Sequence, residues 1–444
     1  MSKKLMKKAF ILLILITVAT SVLWADDDLF MDESDLFGGD GDDLDALFGD
    51  DSSLVADVVE TDIVLDELLL TNESGVVIGG SYAFSITPGW VWNLDADTNS
   101  GSFSTSLQSE IYFDARPNAD IRVYGDARIS YPFKTAADDP GTPWNDPRGF
   151  DDIVKIGELF SDFTINDTIF IRAGKQTINW GVGYFFSPAD LLNLAEIDPS
   201  DPTADLEGPV SVMINVPVEV DNFYGYLIIP ENTEDITDLA GAAKYEKVIG
   251  GTEFGIGGYY RDGQPPAGML TVSTNIANIS VFGEGVVQYG SDKEYPTGSL
   301  PTPVIYENPD DVWYVSGTVG TMFSLSSDES NLGLSFVGQY FYNGEGYSEE
   351  DLIALPGGNS GLHYAAANLS VTLTDTISSR VFWYGNLSDG SGFVNPSLAW
   401  NPADYMSINA GLNYNYGGVD RGEFAPAGDM LSASLSLSLG GAGF

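Results

Sequence analysis

The residues best placed to act on a solute are charged side chains in the middle of alternating segments. Arg122-x-x-x-Asp126-x-Arg128 puts two cations and one anion on one face of an extended chain, because side chains two apart point the same way. Arg172 lies two segments further on and is expected to join them. Guanidiniums opposite a carboxylate rim make a transverse field and can grip a carboxylate or phosphate solute in passing. The same charges can also pair across neighbouring strands and hold register; both readings stand at this point. The alternation assigns Gln108, Glu110, Tyr112, Asp114, Arg122, Asp126, Arg128, Arg172, Gln176, Lys244, Glu246, Glu253, Arg261, Glu284, Gln288, Gln339 and Arg380 to one inward face. The expected lining of a constriction is Glu110, Asp114, Arg122, Asp126, Arg128, Arg172, Gln176, Arg261, Glu284 and Arg380, with Asp190, Glu196 and Asp198 from a long loop.

Other chemistries find little support. The chain has no cysteine and one histidine, His363. Thiolate chemistry and disulfides are therefore absent, and zinc sites or Ser-His-Asp catalysis lack their parts. Asp40-Gly-Asp42-Asp43-Leu-Asp45 is a poor calcium loop, since no glycine stands at the sixth position. Gly255-x-Gly257-Gly258 sits in a strand with no helix after it and makes no nucleotide site. No cofactor and no enzymatic activity are expected.

The elements that carry these residues are strands. From Gly75 onward, eighteen segments alternate apolar and polar, at roughly 76–88, 102–116, 119–133, 153–165, 168–180, 210–219, 222–230, 241–249, 252–261, 268–275, 278–289, 312–325, 332–343, 362–373, 376–387, 393–400, 404–416 and 429–440. Even joints are tight, as at Pro117-Asn118, Asn166-Asp167 and Gly250-Gly251. Odd joints are mostly long, as at 89–101, 134–152, 181–209, 290–311 and 344–361. Some 370 residues with one apolar face per strand exceed what a single soluble core can hide. After the N-terminal region no apolar run reaches the length of a helical span. A closed membrane barrel of eighteen strands, wide enough for an aqueous lumen, satisfies all of this. Aromatics near strand ends (Trp90, Trp92, Tyr131, Phe133, Trp180, Tyr289, Trp313, Tyr340, Tyr342, Trp400, Tyr414, Tyr416) are expected to form interfacial girdles.

The connection 181–209 is long for a compact protein and calls for a role. Folding inward to narrow the pore is one; a surface loop is the other. Ser187-Pro188-Ala189-Asp190 is expected to start a short helix, with Leu191, Leu192 and Leu194 against the wall and the loop's acids facing the arginines or the solute. The stretch Gly174-Lys175-Gln176…Asn179-Trp180-Gly181, then Phe185-Phe186-Ser187-Pro188-Ala189-Asp190…Asn193, resembles one found in porin-like outer-membrane barrels of diderm bacteria. There a G-x-Q-x-x-x-W-G strand runs into a loop carrying Phe and Asp or Asn. The resemblance implies a barrel over 75–444 and a channel whose solute it does not name. The terminal Phe444 likewise resembles the aromatic end that barrel-assembly machinery reads. The leucines before it occupy odd positions, so a bulge at the terminal glycines would bring Phe444 into phase.

Ahead of the barrel, Lys3, Lys4, Lys7 and Lys8 precede an apolar run from Ala9 to Val22, and Ala25 follows, the order of a secretory signal over 1–25. Residues 26–74 form an acidic region expected to lie in the periplasm, mostly without fixed structure apart from a short helix or strand over 55–70. Three Leu-Phe fragments within 26–53 could dock a periplasmic partner. Without the signal, 14 basic residues face 65 acidic ones, a net charge of −51. Such a polyanion does not bind nucleic acid by counterion release. The expectation is an outer-membrane channel embedded in lipid and passing small hydrophilic solutes. Its rivals are a closed barrel serving as adhesin or anchor, and a scaffold recruited through residues 26–53.

Overall fold

A computed structural model describes residues 75–134, 153–204, 206–230, 233–297, 305–326, 332–347, 360–417 and 422–441. The signal, the acidic region and Phe444 lie outside the described residues. Eleven strands come first: β1 (Gly75–Asn93), β2 (Thr98–Asn118), β3 (Ile121–Lys134), β4 (Val154–Ile165), β5 (Ile169–Lys175), β6 (Val210–Val218), β7 (Asp221–Ile229), β8 (Ala240–Ile249), β9 (Thr252–Arg261), β10 (Ala267–Ile276) and β11 (Ile279–Tyr289). A small outlying hairpin follows, β12 (Tyr295–Thr297) and β13 (Ile305–Glu307). Seven more complete the wall: β14 (Trp313–Ser326), β15 (Gly333–Tyr342), β16 (His363–Thr374), β17 (Ile377–Asn386), β18 (Ser391–Ala403), β19 (Met406–Tyr416) and β20 (Met430–Gly441).

Apart from the β12–β13 hairpin, each strand pairs antiparallel with its chain neighbours, and β20 returns to pair with β1. The result is a closed barrel of eighteen strands with no free edge, so every strand's ladder has a partner on both sides. At the seam Ser85 Oγ and Ser438 Oγ lie 2.9 Å apart, and Thr87 Oγ1 donates to Ser436 Oγ at 3.1 Å. The outer wall is apolar and exposed all round: Leu270 is 55% accessible, Val319 53% and Ile214 44%. A belt of that extent is one that lipid covers. Trp90, Tyr289, Trp313, Tyr340, Tyr342 and Trp400 are exposed on it. Of the other expected girdle residues, Phe133 is exposed, Trp92, Tyr131, Tyr414 and Tyr416 are half-buried, and Trp180 departs from the expectation. It is 1% exposed, inside the barrel.

The eighteen alternating segments correspond to the eighteen wall strands, because period-two patterning is what a two-faced strand requires. Two boundaries differ. The joint expected to be long at 89–101 is a tight turn: β1 and β2 stay paired up to Asn93 and Thr98. Asn93 Oδ1 accepts from the N–H groups of Asp95 and Ala96, and Asp97 takes a left-handed φ of +53°. Local Asn chemistry thus closes a turn that the Gly and Ser content had hidden. The fifth strand ends at Lys175 instead of running to Trp180. Gly174 sits at φ +141°, and a Cβ there would collide with the Leu159 carbonyl. From Gln176 onward the chain leaves the wall for the lumen.

At the C-terminus Gly440 has φ +142°, and its N–H donates to the Tyr405 carbonyl at 2.9 Å. Register with β1 stays unbroken through Gly441, so the expected bulge does not occur within the described residues.

Gly174→Ala should destabilise the barrel by about 1–3 kcal/mol, the usual cost of an L-residue in a forbidden backbone region, before the collision is added. The temperature at which the folded band is lost in heat-modifiability gels measures it, and an unchanged temperature would contradict the role given to Gly174.

Candidate pore constriction

One inner wall carries a ladder of alternating charge. Asp114 on β2, Arg122 on β3, Asp162 on β4 and Arg172 on β5 stand side by side in neighbouring strands. Arg122 Nε donates to Asp114 Oδ1 at 3.1 Å, and its Nη1 lies 3.8 Å from Asp162 Oδ2. Arg172 donates to both oxygens of Asp162, at 2.7 and 3.3 Å. The guanidiniums also lie over aromatic rings: Arg172 sits 4.0 Å from the Phe160 centroid, and Arg122 lies 5.2 Å from that of Tyr124. One level further in, Asp126 Oδ1 accepts from the Glu158 N–H at 2.7 Å, and Arg128 Nε lies 3.3 Å from Asp126 Oδ2. Glu110 faces Arg128 in register across β2 and β3. Arg122, Arg128 and Arg172 are therefore all ion-paired within the wall, Arg122 and Arg172 across strands and Arg128 along its own strand.

The segment 176–209 enters the barrel and lies against the opposite wall. Its entry is fixed by Gln176, 1% exposed, whose Nε2 donates to Ser211 Oγ at 2.9 Å. The Thr177 N–H donates to Glu158 Oε1 at 2.7 Å, and Lys244 Nζ donates to the Trp180 carbonyl at 2.8 Å. Trp180 meets Tyr226 edge to face and clusters with Ala240, Ala242, Ala267 and Met269, small or flexible residues that leave it room. Gly257 lies there too: a Cβ would come within 3.1 Å of the indole. Phe185 and Phe186 pack on Phe282, Met322, Val337, Ala366 and Phe382 from β11 to β17.

Two wall side chains capture the backbone of this loop. Glu284 on β11 accepts from the Val182 N–H, the Gly183 N–H at 2.5 Å, Ser187 Oγ at 3.0 Å and the Ala189 N–H at 3.0 Å. Gln339 on β15 accepts at Oε1 from the N–H groups of Tyr184, Phe185 and Phe186. Its Nε2 donates to the Phe186 carbonyl and to Thr318 Oγ1, each at 2.6 Å. Such pairing lets an irregular backbone rest inside a barrel without stranded polar groups.

No helix forms at Ser187–Asp190, where the chain makes a turn. Asp190 and Asn193 take over the local hydrogen bonds: Asn193 Nδ2 donates to both Asp190 oxygens and to the Ile178 carbonyl, and Asn193 Oδ1 accepts from the Ile178 N–H. Side-chain bonding of this kind competes with helix formation. Asp190 thus turns to Asn193 rather than to the arginines. Desolvation, with Glu284 nearby, pushes its carboxyl up to about 6 despite the donors from Asn193. Leu192 packs on the wall, whereas Leu194 is exposed.

The other limb of the loop turns polar. Glu196, Asp198, Asp201 and Glu207 are exposed. Lys175 bonds Glu207 at 2.7 Å and holds its carboxyl below the usual range. Arg380 on β17 donates to Asn368 Oδ1 at 2.6 Å and to the Ser200 carbonyl at 3.2 Å, which ties this limb to the far wall. The loop therefore runs from β5 across to β17. Of the expected lining residues, Asp114, Arg122, Asp126, Arg128 and Arg172 come together, with Glu110 beside them. Arg380 meets the acidic limb. Glu284 and Gln176 lie beneath the loop, and Arg261 ends β9 opposite Ala240, away from the ladder. Sequence reading missed Asp162 and Glu158; both fall on the inward parity of β4 with Phe160.

The fold and site define an eighteen-stranded barrel with a loop folded into its lumen. No protein-family model matches the chain, and no curated protein matches it. Among solved structures it is similar to OccAB1 of Acinetobacter baumannii, at 10% identity and TM-score 0.47, over 82% of this chain and 96% of that one. A mutant Rh. blastica porin is similar at 8% identity and TM-score 0.42, over 82% and 100% of the two chains. OccK3 of Pseudomonas aeruginosa is similar at 9% identity and TM-score 0.44, over 82% and 95%.

Glu284→Ala should strand three loop N–H groups at about 1–3 kcal/mol each and release the loop. Limited proteolysis of the refolded barrel should then cut within the loop; a loop as resistant as the parent's would contradict the anchoring role. Asp190 gives a pH signature. Its folded pKa lies above the unfolded one, so the protonated form is favoured in the fold. Its contribution is fully present below the ordinary Asp range and is lost as pH rises through about 6. Between those limits the stability of Asp190→Asn should fall less steeply with pH than that of the parent in urea unfolding; parallel curves would remove Asp190 as the cause.

Proposed function

We propose that the protein is an outer-membrane channel for passive or facilitated diffusion of small hydrophilic solutes, narrowed by the segment 176–209. The observation that carries this reading is that the loop lies on one side of the lumen and leaves the other wetted. Opposite it, the side chains of Asp114, Arg122, Asp162 and Arg172 keep 16–26% of their surface accessible although each is ion-paired. A solute then passes between the acidic limb, with Glu196, Asp198 and Asp201, and the charge ladder of β2–β5. The inward Ser and Asn side chains of β19 and β20 supply further hydrogen-bonding wall. Because the arginines are matched by neighbouring carboxylates and the limb's acids are exposed, the passage is net negative. The barrel adds 47 acids against 14 basics after residue 74, which draws cations to its mouth.

Planar-bilayer conductance of the mature protein under a salt gradient tests this. The expected result is a steady open conductance with cation preference. Replacing Glu196, Asp198 and Asp201 by their amides should reduce that preference, and Arg122→Ala should increase it by removing one cation from beside Asp114 and Asp162. Anion preference in the parent would reverse the assignment of the filter. No conductance from a folded, inserted barrel would sink the channel reading and favour a closed barrel acting as adhesin or anchor.

A further inference from the structure

A second loop reaches the constriction from the mouth. Between β19 and β20, Glu423 Oε2 accepts from Tyr364 OH at 2.9 Å and from Asn386 Nδ2 at 2.8 Å. The Glu423 N–H donates to Asp389 Oδ2 at 2.9 Å. Phe424 then sits edge-on to two inward rings, 4.8 Å from Tyr384 and 5.6 Å from Phe393. Its carbonyl accepts from Asn415 Nδ2 at 3.0 Å, and Ala425 beside it is fully buried. The same two tyrosines touch the constricting loop: Phe186 lies 5.5 Å from Tyr384 and 6.3 Å from Tyr364. Residues 186 and 424, remote in sequence, therefore share the Tyr384 ring, and Tyr364, which packs on both Phe186 and Tyr384, has its hydroxyl fixed by Glu423.

We propose that Glu423 and Phe424 are positioning residues of the constriction, through which the β19–β20 loop sets from the mouth where the segment 176–209 stands in the lumen. The consequence for transport rests on the channel reading; the mechanical coupling does not. Packed aromatic clusters have a few discrete arrangements instead of a continuum, so a shift at one edge is passed on as a change of packing. Removing the Phe424 ring frees one side of Tyr384. Removing the Glu423 carboxylate frees the Tyr364 hydroxyl. Either change loosens the surface on which Phe186 rests. A molecule that pulls this loop from the mouth would move the constriction in the same way.

The chain has no cysteine, so a single thiol reports on the loop alone. Ala195→Cys places it on an exposed position of the loop, next to Glu196. The readout is the rate of its modification by a small cationic thiosulfonate in the full refolded chain, with heat-modifiable gel migration confirming the barrel. Phe424→Ala and Glu423→Ala should each change the rate severalfold. Glu423→Gln should keep the parent rate, because an amide oxygen still accepts both donors. Combining Phe186→Ala with Phe424→Ala should move the rate no further than either change alone. If Phe424→Ala does not fold, Phe424→Leu keeps most of the volume without the ring and should still alter the rate. Unchanged rates in folded variants, or independent effects of Phe186 and Phe424, would overturn the proposal. A parent that fails to conduct would end the channel reading while this rate still decides the coupling.

Discussion

An irregular backbone inside a barrel must find a partner for each polar group it removes from water. The rest of this structure depends on how Glu284 and Gln339 meet that demand. Between them they accept from six N–H groups of residues 182–189. Both are on the barrel wall, on β11 and β15, far around the circumference from the strands that bracket the loop. The loop must therefore cross the lumen to be satisfied. Glu284 is buried, and its carboxyl oxygens find their partners in N–H dipoles and a hydroxyl from the loop. The carboxylate and the loop thus depend on each other. Neither is stable in place alone.

The inner wall is graded to suit. Under the loop it is apolar and small-sided, with Ala240, Ala242, Gly257 and Ala267 beneath Trp180 and Ala366 near the phenylalanines. Larger residues there would lift the loop off the wall and out of reach of Glu284 and Gln339. Across the lumen the wall is charged and paired. Pairing Arg122 and Arg172 with carboxylates on the next strand holds these long side chains flat along the wall, against Tyr124 and Phe160. Flat arginines lie along the wall, whereas unpaired ones would extend into the lumen and dominate its field.

The strands were legible in the sequence because their rule is local. A residue's face follows from its parity, and the inward assignment of Arg122, Asp126, Arg172, Glu284, Gln339 and Arg380 needed nothing else. The partners of those residues were not legible. Parity places Glu284 inside but does not say that a loop emerging six strands away will close over it. For the same reason Asp190 and Asp198 looked alike as acids of one loop, yet one braces Asn193 in the packed limb and the other is exposed. The helix expected at Ser187 failed on a similar point. Its signals, a Ser-Pro start and an acid in the first turn, are the same residues that make a good turn. Which one forms depends on whether the N–H groups find partners along the chain or on the wall.

A gradient of this kind also explains why the chain can be so acidic and still fold as one barrel. The ion pairs that join strands link neighbours in sequence, such as Asp114 with Arg122 and Asp162 with Arg172, and so form as each hairpin closes. The loop's anchors, by contrast, come from strands much later in the chain and can act only when β11 and β15 are in place. Local pairs set the wall first, and long-range capture of the loop follows.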